Sequence, residues 1–160
     1  MRGAALLLAL AACTRGPMPE AEALGLTARL IEAGPHAVEV EARVTNGAPD
    51  RICVLEPPPS DAALRYLRLH DEAGRPLPSF IGAPFAPGTE VRLAAVEPGA
   101  TLPLRLTAPL YVLAGPPAGW SVMLEAGPCP AVLVVAGAAF NPGTMAFESL
   151  EITTPVAPLP

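Results

Sequence analysis

Proline is the residue that most constrains what this chain can fold into. Of 160 residues, 22 are Pro and 14 are Gly, spread along the chain without period or low-complexity blocks. A proline removes a backbone donor and clashes with the helical turn before it, so long helices are disfavoured. Between these breaks the apolar residues alternate with polar ones. In residues 36–47, HAVEVEARVTNG, Val38, Val40, Ala42 and Val44 fall on one face and Glu39, Glu41 and Arg43 on the other. A period of two marks a half-buried strand. Asn46-Gly47 ends that run with turn chemistry.

The same reading places strands along the rest of the chain. Residues 24–33 alternate, and 51–56 form a short strand stopped by Pro57-Pro58-Pro59. A strand follows from Tyr66 to His70, with a turn over 71–74. Residues 80–88 are broken by prolines and read as an extended edge or loop. Residues 89–108 read as a hairpin, with Glu97-Pro98-Gly99 as its turn. In 119–127 Trp120, Val122 and Leu124 point inward. Residues 131–140 are wholly apolar, either a buried strand or a short helix. Residues 146–155 close the domain through Phe147, Leu150 and Ile152, and the Pro-rich tail 156–160 reads as frayed. Seven to nine short strands at this spacing predict one all-β domain over 24–155, an antiparallel immunoglobulin-like β-sandwich.

The N-terminus is of another kind. Residues 1–12, MRGAALLLALAA, give one positive charge and then a short apolar run. A membrane-spanning helix needs about 20 apolar residues, so this is the plan of a secretory signal instead. The tetrad Leu10-Ala11-Ala12-Cys13 resembles the lipobox of bacterial lipoproteins. The resemblance implies cleavage before Cys13, a diacylglycerol on its sulfur and an acyl group, palmitate for example, on its new amino group. Two or three chains on one cysteine anchor a protein lastingly, since each buried CH₂ contributes ~0.8 kcal/mol. Thr14, rather than Asp, follows the cysteine; in that family this pattern points to the outer membrane, here facing the periplasm. Residues 13–23 read as a flexible tether.

With Cys13 assigned to lipid, Cys53 and Cys129 remain. In a disulfide-permissive compartment one even pair is most simply a disulfide. The other reading is two separate buried thiols acting as small hydrophobes.

The search for chemistry finds little. HExxH, paired CxxC, GxSxG and GxGxxG are absent, and Ser60, Ser79, Ser121 and Ser149 lie in no nucleophile frame. His36 reads as a strand start, and His70, beside Asp71 and Glu72, as a solvated turn. Glu39 and Glu41 share a solvated strand face. Trp120 reads as core, and Tyr111 as a corner-type tyrosine that fixes a loop. All ten basic residues are Arg, scattered singly, and the formal charge is −5. Nucleic acid demands a concentrated positive surface, so it is not an expected partner. The expectation is a non-enzymatic protein with no metal or cofactor.

One further likeness covers about half of the chain. VTNGAPDRICVLE, YLRLHDEAGRPLPSFIGAP and VEPGATLPLRLTAPLYVLAGPPAGWSVML follow one another in an order that resembles the immunoglobulin-like, non-catalytic N-terminal domain of deuterolysin-type metallopeptidases. Trp120 departs from it, standing where that family tends to have Tyr. The resemblance implies a module that assists or restrains a protease, and it carries no catalytic residue. The expected partners are therefore the membrane, through Cys13, and a protein, either a peptidase or an envelope protein. A structural or assembly lipoprotein is the alternative, and a glycan-binding module a weaker one.

Overall fold

A computed structural model describes residues 16–57, 64–79, 92–130 and 147–160. Cys13, the signal over 1–12 and the readings of 80–88 and 131–140 lie outside the described residues. Among the described residues nine strands follow in order: β1 (Leu24–Ala33), β2 (Ala37–Asn46), β3 (Ile52–Glu56), β4 (Leu67–His70), β5 (Arg92–Val96), β6 (Thr101–Pro109), β7 (Gly119–Pro128), β8 (Leu150–Thr153) and β9 (Ala157–Pro158). All pairings are antiparallel.

One sheet has the order β1-β2-β6. Its register follows from the alternation. Val40 lies between Leu30 and Leu106, and Val44 between Leu26 and Leu102, all on the buried face. Arg29, Glu41 and Arg105 line up on the other face. A slip of one residue would exchange the two faces, so burial of the valines specifies the pairing.

The second sheet is built on β7. Ala126 is flanked by Val54 of β3 and Leu150 of β8, and Trp120 by Leu69 of β4 and Ala157 of β9. Both edges of β7 are thus paired at each of its ends. β5 continues the sheet from β3. Alternation predicts a half-buried β7, yet nearly all of it is buried. Its outward residues are covered too. Ser121 meets His70, Glu125 meets Arg65 and Tyr66, and Gly127 packs so closely against the Glu148 backbone that a Cβ there would collide with it.

The described part of 89–108, residues 92–108, does not form the expected hairpin. The turn is present: Ala100 N–H donates to the Glu97 carbonyl (3.0 Å), and Gly99 sits at φ +75°, a region that favours glycine. But β5 pairs with β3 and β6 with β2, so the turn carries the chain from one sheet to the other. Asn46 holds that crossing. It is fully buried, and its Nδ2 donates to the carbonyls of Val96 and Asp50 (2.9 Å each) while its Oδ1 accepts the Ala48 N–H (2.9 Å). Its own N–H donates to Ala100, and its carbonyl accepts from Gly99.

Residues 16–23 and 156–160 are more ordered than the sequence reading has them. The tail over 156–160 is not frayed: β9 pairs with β7, and Leu159 N–H donates to Ala118 (2.9 Å). β9 pairs the edge of β7 at Gly119 and Trp120 that would otherwise be open, so the backbone beside the buried Trp120 has a ladder partner. Of the stretch read as a tether, residues 16–23 follow the body of the domain. Ala21–Ala23 form one 3-10 turn, Gly47 N–H donates to the Ala23 carbonyl (2.8 Å), and a Cβ added at Gly16 would come 3.9 Å from that of Pro128.

Cys53 and Cys129 are joined as a disulfide, with Cα atoms 4.8 Å apart and a sequence separation of 76. Their union fastens β3 to the residue just beyond β7. For a loop of that length the chain-entropy model gives about 4 kcal/mol of stabilisation. Urea denaturation with and without reductant is expected to differ by that order, and alkylation of the unreduced protein should find neither thiol. Asn46→Ala removes the partner of the buried Val96 carbonyl, of the buried Ala48 N–H and of the part-buried Asp50 carbonyl. At ~1–3 kcal/mol for an unsatisfied buried group, the expected loss is about 3 kcal/mol, read as a lower urea midpoint. A loss under ~1 kcal/mol would show that the crossing stands without it.

Candidate functional site

The strands end in two clusters of turns, one at each end of β7. At the Gly119 end, two proline-bearing loops meet. The first begins with the turn Asp71–Arg75. Asp71 Oδ1 accepts the N–H groups of Ala73 and Arg75 (2.9 Å each), and Arg75 Nε donates to Oδ2 (2.8 Å). These bonds, the Arg75 backbone bond first, hold the Asp71 carboxyl below the usual carboxylate range. Gly74 occupies the left-handed position that closes the turn, at φ +75°. Local sequence therefore shapes this turn by itself: Asp leads it, as turn chemistry favours, and Gly ends it.

The second loop, residues 110–118, is tied to the first by backbone. Ala114 N–H donates to Pro78 (3.1 Å), Ser79 bridges to Leu113, and Ala118 N–H donates to the His70 carbonyl (2.7 Å). Between the turn 71–75 and Pro116-Pro117 lies a cleft of about 440 Å³, into which Glu72, Arg75 and Leu77 also contribute. Leu77 also lines an adjoining recess of about 170 Å³ beside Arg68 and Leu113. Tyr111, on the same loop, is 76% exposed. Its place on the loop agrees with the sequence reading, but its ring faces outward.

Beneath the cleft lies His70. It is not the solvated turn residue of the sequence reading: it is only 5% exposed. Its Nδ1 is 3.2 Å from the Gly74 carbonyl and its Nε2 is 2.8 Å from Ser121 Oγ. A carbonyl can only accept, so Nδ1 carries the hydrogen; in the neutral ring, Nε2 then accepts the Ser121 hydroxyl. A serine and a histidine at this distance have nucleophile–base geometry. Here Ser121 is 7% exposed, and the pair acts as a strut between β7 and the turn. Local sequence pointed to a turn at 71–74, which is present. What covers His70 comes from β7 and residue 118, far along the chain.

The other sequence candidates lie elsewhere. Cys53 and Cys129 are at the opposite end of β7. His36 is near the cleft end only through its carbonyl, which accepts Leu110 N–H (2.8 Å). Trp120 is core, as expected. Tyr66 is fully buried, its hydroxyl 3.4 Å from Glu125, and burial raises its phenol above the ordinary value. Glu39 and Glu41 keep to the outer face of β1-β2-β6, where Glu39 pairs with Arg105 (2.8 Å) and Glu41 with both Arg29 (3.1 Å) and Arg43 (2.9 Å). Hydrogen bonds from Arg29 and then Arg43 lower Glu41 to about 2. The cleft itself was not singled out from sequence. Its signals, the DEAG turn and the Pro116-Pro117 pair, are ordinary loop signals that do not say two loops will meet.

No family model matches this chain, and no curated protein matches it.

Two outcomes check this geometry. A lowered folded pKa means that the Glu41 contacts stabilise above the ordinary carboxylate pKa and are lost as pH falls through about 2. Carboxyl NMR titration should therefore place the Glu41 midpoint near 2, and in the double variant Arg29→Gln, Arg43→Gln it should return to the ordinary range. Ser121→Ala strands His70 Nε2 and should cost about 1–3 kcal/mol. Amide exchange at Gly74 and Ala118 should rise with it; unchanged exchange there would mean the strut does not hold the turn.

Proposed function

We propose that this protein is a lipid-anchored, non-catalytic module of the bacterial cell envelope that binds a protein partner through the cleft between residues 71–77 and 116–118. Loops carried on a rigid sandwich are where such folds hold binding residues. The observation that carries the reading is the way both loops are braced before any partner arrives. Asp71 fills its own turn, His70 and Ser121 prop that turn from below, and Pro78 and Ala114 join the loops. A braced cleft loses little conformational freedom on binding. Its wall combines the charges of Glu72 and Arg75 with the apolar surface of Leu77 and the prolines, a mixture suited to a protein surface.

The anchor part rests on Leu10-Ala11-Ala12-Cys13 after a short apolar run. The resemblance to the deuterolysin-type N-terminal domain supports a peptidase as the partner, with this module acting as inhibitor or chaperone.

Both parts are testable. Cys13→Ser should remain unprocessed and leave the membrane fraction; a form that still fractionates with membranes would overturn the anchor. The detergent-solubilised full chain, titrated calorimetrically with secreted metallopeptidases of the same organism, should bind one of them. Leu77→Glu should weaken that binding at least tenfold. Absence of binding to every such peptidase would count against the peptidase reading, and undiminished binding by Leu77→Glu would remove the cleft from it.

A further inference from the structure

The two ends of β7 differ in what reaches them, and the difference gives the anchored molecule a direction. A strand rises ~3.3 Å per residue, so Gly119 and Pro128 are about 30 Å apart. At the Pro128 end are the Asn46 crossing, the Cys53–Cys129 disulfide and Gly16, where an added Cβ would come 3.9 Å from that of Pro128. At the Gly119 end is the cleft.

Read from sequence alone, residues 13–23 are an eleven-residue leash, and such a leash would leave the domain free to turn. But Ala23 is bonded to Gly47, and Gly16 is near enough to Pro128 that a Cβ added there would come 3.9 Å from the proline Cβ. Only Thr14 and Arg15 stand between Cys13 and Gly16. An extended chain covers at most ~3.6 Å per residue, so Cys13 lies within about 11 Å of Gly16. That reach is about a third of the sandwich's length.

We infer that the lipidated cysteine holds the Asn46 and disulfide end of the sandwich at the membrane surface, and that the cleft is presented about 30 Å farther out, to a soluble protein approaching from the aqueous side. This rests on the lipidation of Cys13 proposed above. The Arg29, Arg43 and Arg105 side chains on the β1-β2-β6 face are paired with Glu41 and Glu39, which reduces the pull of that face toward anionic headgroups. A partner embedded in the same membrane would meet the wrong end. A soluble one meets the cleft directly.

The test uses the acylated full chain in lipid nanodiscs that carry a gadolinium-chelating headgroup. Paramagnetic broadening falls steeply with distance from the surface. Amides of Gly47, Ala48 and Gly99 should broaden severalfold more than those of Gly74 and Ala118. Equal broadening at the two ends, or the reverse order, overturns the orientation. Ten Gly and Ser residues inserted between Arg15 and Gly16 should erase the difference. If the difference survives the insertion, the short leash is not its cause. Lipidation is read separately, from the acyl mass on the N-terminal peptide. A chain without that mass overturns the lipid reading itself, and this inference with it, whereas an acylated chain with the wrong order overturns the orientation alone.

Discussion

Asn46 is the residue on which the two-sheet arrangement turns. A sandwich must pass its chain between layers, and each crossing exposes backbone groups that neither sheet can pair. Here one buried amide reaches both sides. It belongs to β2, in the first sheet, and it bonds Val96, the last residue of β5 in the second. Its backbone receives the turn that links β5 to β6. Buried polar groups are stabilising when fully paired and costly when not, so such a residue also specifies where the crossing occurs. Gly47 belongs to the same device: a Cβ there would stand 2.7 Å from the Ala23 carbonyl that its N–H bonds.

The opposite end of the sandwich is organised by a different logic. There, β7 meets β4 and β9, and the groups left over are loop groups. His70 closes that end in the way Asn46 closes the other, one ring serving two elements. The first end gathers the chain's entry, the disulfide and the sheet crossing. The second is left with turns that pair among themselves and leave a cleft between them. A fold with its stabilising links at one end can leave an open cleft at the other without weakening its core.

Much of this was legible in the chain. The valines of 38–44 needed only alternation to be placed, because a strand with one buried face has one workable register. Cys53 and Cys129 could be paired by counting once Cys13 was set aside. The errors share a cause. Glu97-Pro98-Gly99 has the same turn chemistry whether the strands on either side pair with each other or part company; the choice lies in Asn46, some 50 residues away, which no local window contains. His70 lies among charged residues in sequence and under Ser121 and Ala118 in space. The tail 156–160 has too few residues to signal a strand, and it becomes one because β7 has a free edge to fill.

By itself, then, the sequence determined what is local: strand periodicity, the breaks between strands, the turn formers, the alternating faces and the apolar run ending in Cys13. These follow from backbone sterics and from the partition of side chains between water and core, which act over a few residues. The tertiary structure alone decided which strands pair across a turn, which polar residues are buried with partners, and that two loops enclose a cleft at the end away from Gly16. Those outcomes depend on hydrogen bonds and packing between residues tens of positions apart, whose energy exists only once the two sheets have come together.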